Sequence, residues 1–156
     1  MSGHRGIATL ASGMMICFLV LSTMEPDFAL LHFYQSLIYL LIVLMLFYFQ
    51  DRWAYMIGIL APSVWLLMAY GMGLTGGALR QVSRLMRAQR PTSDVSVMVA
   101  IMVVLSVLLI ALCAYRWKRQ YAGLGKGLRT FLVSFVVVVA YYTILIVWFY
   151  HIIPPG

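Results

Sequence analysis

The sequence has little charge, and none of it lies where the chain is most apolar. Only 10% of its 156 residues are Asp, Glu, Lys or Arg, against roughly a quarter in an average soluble chain. Only four residues are acidic, and no charged residue interrupts any of five long apolar runs. This pattern excludes an ordinary soluble domain. It also argues against autonomous proton or ion pumping, which usually needs ionisable groups inside the membrane.

Cysteines and catalytic motifs are also scarce. Cys17 and Cys113 fall inside apolar runs at different predicted depths, so we expect neither a disulfide nor a metal site. The glycines of residues 71–76 fit a GxGxxG pattern, but no strand precedes them, as dinucleotide binding would require. No Ser-His-Asp arrangement is recognisable. We therefore predict no catalytic residue and no enzymatic activity.

The apolar runs themselves indicate the fold class. A bilayer core of ~30 Å needs roughly 20 apolar residues in a helix, and each run approaches that length. The sequence predicts an all-α integral membrane protein, with a single membrane domain over residues 1–156 and about five transmembrane helices in a bundle. The predicted spans are residues 7–23, 28–49, 53–70, 95–115 and 131–150.

A short amphipathic basic helix is predicted between the third and fourth spans, at about residues 78–90. Arg80, Arg84 and Arg87 are spaced so that they share one helical face, and apolar residues including Leu79 and Met86 are expected opposite. Such a helix lies on anionic lipid headgroups or binds an acidic partner surface. The alternative is a solvated connector whose arginines extend along the surface.

The distribution of basic residues predicts the orientation. The net charge is +7, but the basic residues lie beside apolar runs, so we expect lipid contact and no nucleic-acid binding. Seven Lys and Arg residues fall on the side of the N-terminus and four on the other. The positive-inside rule then places the N-terminus in the cytoplasm and the C-terminus outside. The expected location is a bacterial cytoplasmic membrane.

The second span carries a polar stripe in an otherwise apolar helix. His32, Gln35, Ser36 and Tyr39 are spaced i, i+3, i+4 and i+7, and His151 ends the fifth span on the same side. Three interpretations are open: a quinone site using His32, Gln35, Tyr39 and His151, axial haem ligation by the two histidines, or hydrogen bonding between helices or subunits. The third interpretation, hydrogen bonding with Ser36 on a partner surface, is the simplest of the three.

Small residues predict where helices approach closely. Two spans carry such residues at intervals of three or four, which lets helix backbones pack tightly in lipid. The predicted stripes are Thr9, Gly13 and Cys17 on the first span, and Ala54, Gly58 and Ala61 on the third.

One short segment resembles a known family. Residues 25–31, EPDFALL, open the second span in a way that is similar to the small J-type membrane subunit of respiratory complex I. The resemblance implies a subunit of an energy-transducing assembly. Residues 57–62 depart from the Gly-rich, acid-containing third helix of that family, so the family is not assigned on this basis.

These features favour a non-catalytic accessory or structural subunit of a larger membrane protein complex. The expected partners are the lipid bilayer and other membrane subunits. Two alternatives stay open: a small homo-oligomeric transporter or channel, and a quinone- or haem-binding redox protein that uses the His32 region.

Overall fold

The computed structural model describes residues 2–48, 51–87, 93–121 and 124–152. Within these ranges the chain forms six α-helices and no strand. The helices are α1 Ser2–Met24, α2 Ala29–Tyr48, α3 Asp51–Gly71, α4 Leu74–Met86, α5 Asp94–Tyr121 and α6 Leu124–Ile152.

Five of these helices, all except α4, are long and apolar enough to cross a membrane. In hydrocarbon no water is present to satisfy backbone polar groups, and a helix satisfies them internally. The predicted all-α membrane bundle with one additional short helix is therefore confirmed. Four of the five predicted spans lie within an observed helix. The second predicted span extends one residue beyond α2 at each end. Phe28 closes a 3₁₀ turn, and residue 49 lies outside the described residues.

Ring contacts show that the long helices alternate in direction. His4 of α1 lies 6.2 Å from Tyr55 of α3, which in turn lies 6.4 Å from Tyr121 at the end of α5, measured between ring centroids. At the other end, Phe28 stacks on Phe149 of α6 at 5.4 Å. We call these the N-terminal end and the distal end of the bundle.

Helix α3 occupies the centre of the bundle. Ala54 and Ala61 are fully buried, and Gly58 lies between them. A Cβ atom added at Gly58 would lie 2.7 Å from Sγ of Cys113, so α3 and α5 approach as closely as a glycine permits. The small-residue stripe predicted on the third span thus lies in a helix interface.

The stripe predicted on the first span was only partly correct. Thr9 is exposed, Gly13 is half-buried, and Cys17 is buried. Larger side chains cover more apolar surface, and they take the core face of α1. That face consists of Ile7, Ala11, Met14, Phe18 and Leu21. Thr9 and Gly13 are left at the edge, where a groove opens between α1 and α2.

Local backbone chemistry determines where α4 and α5 begin. Gly73 has a φ of +73°, a left-handed conformation that suits glycine, and it separates α3 from α4. Helix α4 therefore starts at Leu74 and not near residue 78 as predicted, and it ends at Met86; residues 88–90 lie outside the described part. The Ser93 hydroxyl accepts a hydrogen bond from the backbone N–H of Ser96 at 3.3 Å and caps α5.

Helix α6 packs on the bundle along one narrow stripe. The buried positions recur every three or four residues, so they form a single helical face. They are Thr130, Ser134, Val138, Tyr142 and Leu145. The remaining circumference is apolar and exposed, with Val136 64% and Ile144 69% exposed. Helix α6 is thus an edge helix of the bundle, held chiefly against α3.

Candidate functional site

The polar stripe of α2 begins at the distal end, where His32 bridges two polar groups. Its Nε2 lies 3.0 Å from Oε2 of Glu25, which precedes the turn into α2. Its Nδ1 lies 3.3 Å from the side-chain amide oxygen of Gln35, one helical turn further on. The carboxylate of Glu25 accepts the Nε2–H, and in that tautomer Nδ1 is an acceptor. The Gln35 amide then donates to Nδ1 through its NH₂ group, which takes the place of the oxygen when the amide is flipped. Both ring nitrogens are therefore engaged within the chain.

Aromatic rings enclose the imidazole from two sides. Phe18 of α1 lies 6.3 Å from His32, and Phe28 lies 6.5 Å from it. The His32 side chain is 13% exposed and that of Glu25 is 35% exposed. The carboxylate of Glu25 is thus partly exposed, whereas the imidazole ring of His32 is nearly enclosed. This arrangement fixes the turn between α1 and α2 against the bundle.

The rest of the stripe points into the core. Gln35 and Ser36 are buried, and the Ser36 hydroxyl donates to the Phe33 carbonyl of its own helix at 2.6 Å. Ser36 is therefore not exposed to a partner at this surface in the single chain. Tyr39 is completely buried and stacks on Phe18 at 5.6 Å, while Phe18 meets Trp65 edge-on at 5.9 Å.

A second polar stripe, on α6, was not predicted from the sequence. The hydroxyl groups of Tyr142 and Tyr39 lie close enough to interact electrostatically. Neither hydroxyl has a partner among the described residues that meets the distance and angle of a hydrogen bond. The sequence signal was present, since Thr130, Ser134 and Tyr142 recur at multiples of four in a Val-rich helix. The two stripes meet in the middle of the bundle.

The predicted pairing of His32 with His151 stays a prediction. The backbone of α6 extends to Ile152, but the side chain of His151 lies outside the described residues. The stacking of Phe28 on Phe149 does bring the last turn of α6 beside the start of α2. His151 is thus on the same end of the bundle as His32, as the topology predicted.

The basic helix α4 has three faces and not two. Ala78 and Gln81 are buried against the bundle, and Arg80, Arg84 and Arg87 are exposed on another face, with the Arg80 Nε donating to the Gly76 carbonyl at 3.2 Å. The third face is apolar, and it is exposed as well. It carries Leu79, 70% exposed, and Met86, 79% exposed. These side chains point away from the bundle.

The two ends of the bundle differ strongly in charge. By sequence position, the N-terminal end holds seven Lys and Arg residues and one acid, Asp51, while the distal end holds four arginines and three acids. Two guanidinium groups at the N-terminal end rest on aromatic rings: Arg52 lies 5.5 Å from Trp53, and Arg119 lies 5.1 Å from Tyr115. The Nε atoms of Arg52 and Arg116 are buried without a hydrogen-bond partner among the described residues.

The described residues contain no group of three or more His, Cys, Asp or Glu side chains that could hold a metal ion. Cys17 and Cys113 are both buried and free. The polar side chains described above contact one another in two groups, Glu25 with His32 and Gln35, and Tyr39 with Tyr142. Comparison with family models, with curated proteins and with solved structures finds no match to this chain.

Proposed function

We propose that the chain is a non-catalytic accessory subunit of a larger membrane protein complex and that it binds its partner through α6. The observation that carries the proposal is the attachment of α6 along one stripe only. Val136, Ile144 and Val147 on its outward surface are 64%, 69% and 50% exposed. Apolar side chains exposed over the length of a spanning helix contact lipid or another transmembrane helix.

The polar stripe of α2 supports the same proposal. His32 already contacts Glu25 and Gln35, and Ser36 bonds its own helix. A haem at His32 would have to displace Glu25 or Gln35 from the ring. Hydrogen bonding that fixes the α1–α2 turn and the core accounts for the stripe without a ligand.

The adjacent cleft offers a defined contact point for a partner. Helices α2 and α6 leave a pocket of about 260 Å³ between them near the distal end. Its wall is aromatic, with Tyr34 and Trp148 edge-on at 5.3 Å and the Tyr141 hydroxyl donating to the Tyr34 carbonyl. Large aromatic side chains in such pockets dominate binding at many interfaces. An aliphatic side chain from a partner helix fits this chemistry.

The test is isolation from native membranes in a mild detergent, followed by native mass spectrometry and an absorption spectrum of the same fraction. We expect this chain in a fixed ratio with larger membrane proteins and no haem absorption. Migration as a single chain or as a homo-oligomer would contradict the proposal and favour a transporter or channel. A Soret band that is lost in the His32→Ala variant would instead establish a redox protein.

A further inference from the structure

A groove runs along the outside of α1 and α2 at the N-terminal end of the bundle. Its volume is about 630 Å³, which falls within the range of roughly 300–1,000 Å³ typical of small-molecule sites. The small residues left at the edge of α1 form its floor, and larger side chains form its walls. Its lining includes Arg5, Thr9, Ser12, Ile16, Val43 and Phe47.

The depth of the groove matches one leaflet of a bilayer. Arg5 and Ile16 are eleven residues apart on α1, and at ~1.5 Å per residue this is about 16 Å. Half of a ~30 Å hydrocarbon core is about 15 Å. The groove therefore extends from headgroup level, where α1 begins, to about the membrane midplane. A transmembrane helix of a partner would need contact across both leaflets, whereas a phospholipid occupies only one.

The chemistry changes along the groove as it does along a phospholipid. Arg5 stands at the headgroup level with an exposed side chain that makes no ion pair among the described residues. Deeper in, Ile16 and Val43 present hydrocarbon, and Phe47, one residue before the end of α2 and 61% exposed, adds an aromatic wall nearer the headgroup level. The Thr9 hydroxyl donates to the Arg5 carbonyl at 2.8 Å, so it adds no unsatisfied polar group to the apolar part.

The surrounding charge favours an anionic headgroup. Asp51 is the one acid that the sequence places at this end, against seven basic residues, and the other three acids lie at the distal end. Phosphate groups accept charge-assisted hydrogen bonds from arginine. We propose that this groove is a binding site for an anionic phospholipid, with the headgroup phosphate on Arg5 and one acyl chain lying between α1 and α2.

The experiment uses a photoactivatable phosphatidylglycerol that carries a diazirine in its acyl chain, with the protein in nanodiscs of phosphatidylcholine. Cross-linked residues are identified by mass spectrometry. We expect cross-links concentrated on the segments 8–16 and 43–47. Arg5→Gln should lower their yield about five-fold, the effect of removing one charge near an anionic headgroup. Arg129→Gln, an exposed position on α6 at the same end, is the matched control and should leave the yield unchanged.

A second pair of variants tests the acyl-chain part. Ser12→Leu fills the floor of the groove and should lower the yield in segments 8–16 and 43–47. Thr143→Leu makes a similar change on the exposed side of α6 and should not. Cross-links spread evenly over all exposed helix faces would overturn the proposal, as would equal yields for Arg5→Gln and Arg129→Gln. An equal yield with a photoactivatable phosphatidylcholine would show that the groove has no preference for anionic lipid.

Discussion

At the residue scale, two contacts between elements of the bundle each involve only a few atoms. Gly58 lets α3 approach α5 until its α-carbon faces the Cys113 thiol, and Glu25 ties the start of α2 to His32. The first contact is steric and the second is polar. Each can therefore be tested by a substitution that changes one property at one position.

Gly58→Ala is expected to destabilise the bundle by about 1–3 kcal/mol, the usual cost of adding a methyl group to a packed core. The new Cβ would lie 2.7 Å from Sγ of Cys113, which is fully buried and has little room to move. The double variant Gly58→Ala/Cys113→Ala should regain much of that loss. Gly71→Ala, where a Cβ meets no atom within 4 Å, is the control. Denaturant unfolding in mixed micelles measures all four proteins.

The Glu25–His32 contact should show a coupling free energy of about 0.5–1 kcal/mol in a double-mutant cycle. The value is modest because the Glu25 side chain is 35% exposed and water screens the interaction. The cycle uses Glu25→Gln and His32→Phe, with unfolding as the readout. Asp27→Asn, a change at an exposed acid in the same turn, should show no coupling to His32→Phe. Equal coupling for both acids would show that the contact is not specific.

At the element scale, α4 illustrates what a helical pattern predicts and what it leaves open. The spacing of Arg80, Arg84 and Arg87 places the arginines on one face, and this face is exposed as expected. The same pattern predicted Leu79 and Met86 on the side opposite the arginines, whereas in the structure they form a separate exposed face, and Ala78 and Gln81 face the bundle. The outcome depends on which side of α4 meets α5, and the hydrophobic pattern of α4 alone does not contain that information.

If α4 lies at the membrane surface, its apolar face should contact lipid chains while its arginines remain in water. An environment-sensitive fluorescent amino acid at Leu79 is expected to emit at shorter wavelength than the same probe at Arg80. Nitroxides on lipid chains should quench the first probe, and aqueous iodide should quench the second. The reverse result, or equal access of iodide to both, would show that α4 is a solvated connector.

The spanning helices could be predicted because lipid imposes one rule on every apolar run, namely an internally bonded helix. The interhelical contacts could not. Tyr39 and Tyr142 meet because α6 rotates its stripe toward α2 and α3, and this rotation depends on the packing of five helices at once. The contact between His32 and Gln35 agrees with their predicted i, i+3 spacing on one face of α2, whereas the contact of His32 with Glu25 depends on the turn before α2, which spacing does not give.

At the scale of the whole molecule, the asymmetry of charge predicts the orientation. The N-terminal end has seven basic residues and one acid, and the distal end has four basic residues and three acids. By the positive-inside rule we therefore expect the N-terminal end to be cytoplasmic. Alkaline phosphatase fused after Gly156 should be active, because this enzyme folds only outside the cytoplasm. A fusion after Gln50 should be inactive. Activity of the second fusion alone would mean that the protein has the opposite orientation.

The central claim is that the chain acts through a partner that packs on α6. The most direct measurement compares Val136→Trp with Val104→Trp in complexes isolated from native membranes, with wild-type protein as the reference. Both valines are exposed on spanning helices, at 64% and 57%, so both variants should insert equally well. We expect the α6 variant to be lost from the complex and the α5 variant to remain in its wild-type ratio. Equal retention of both, at equal amounts in the membrane, would contradict it.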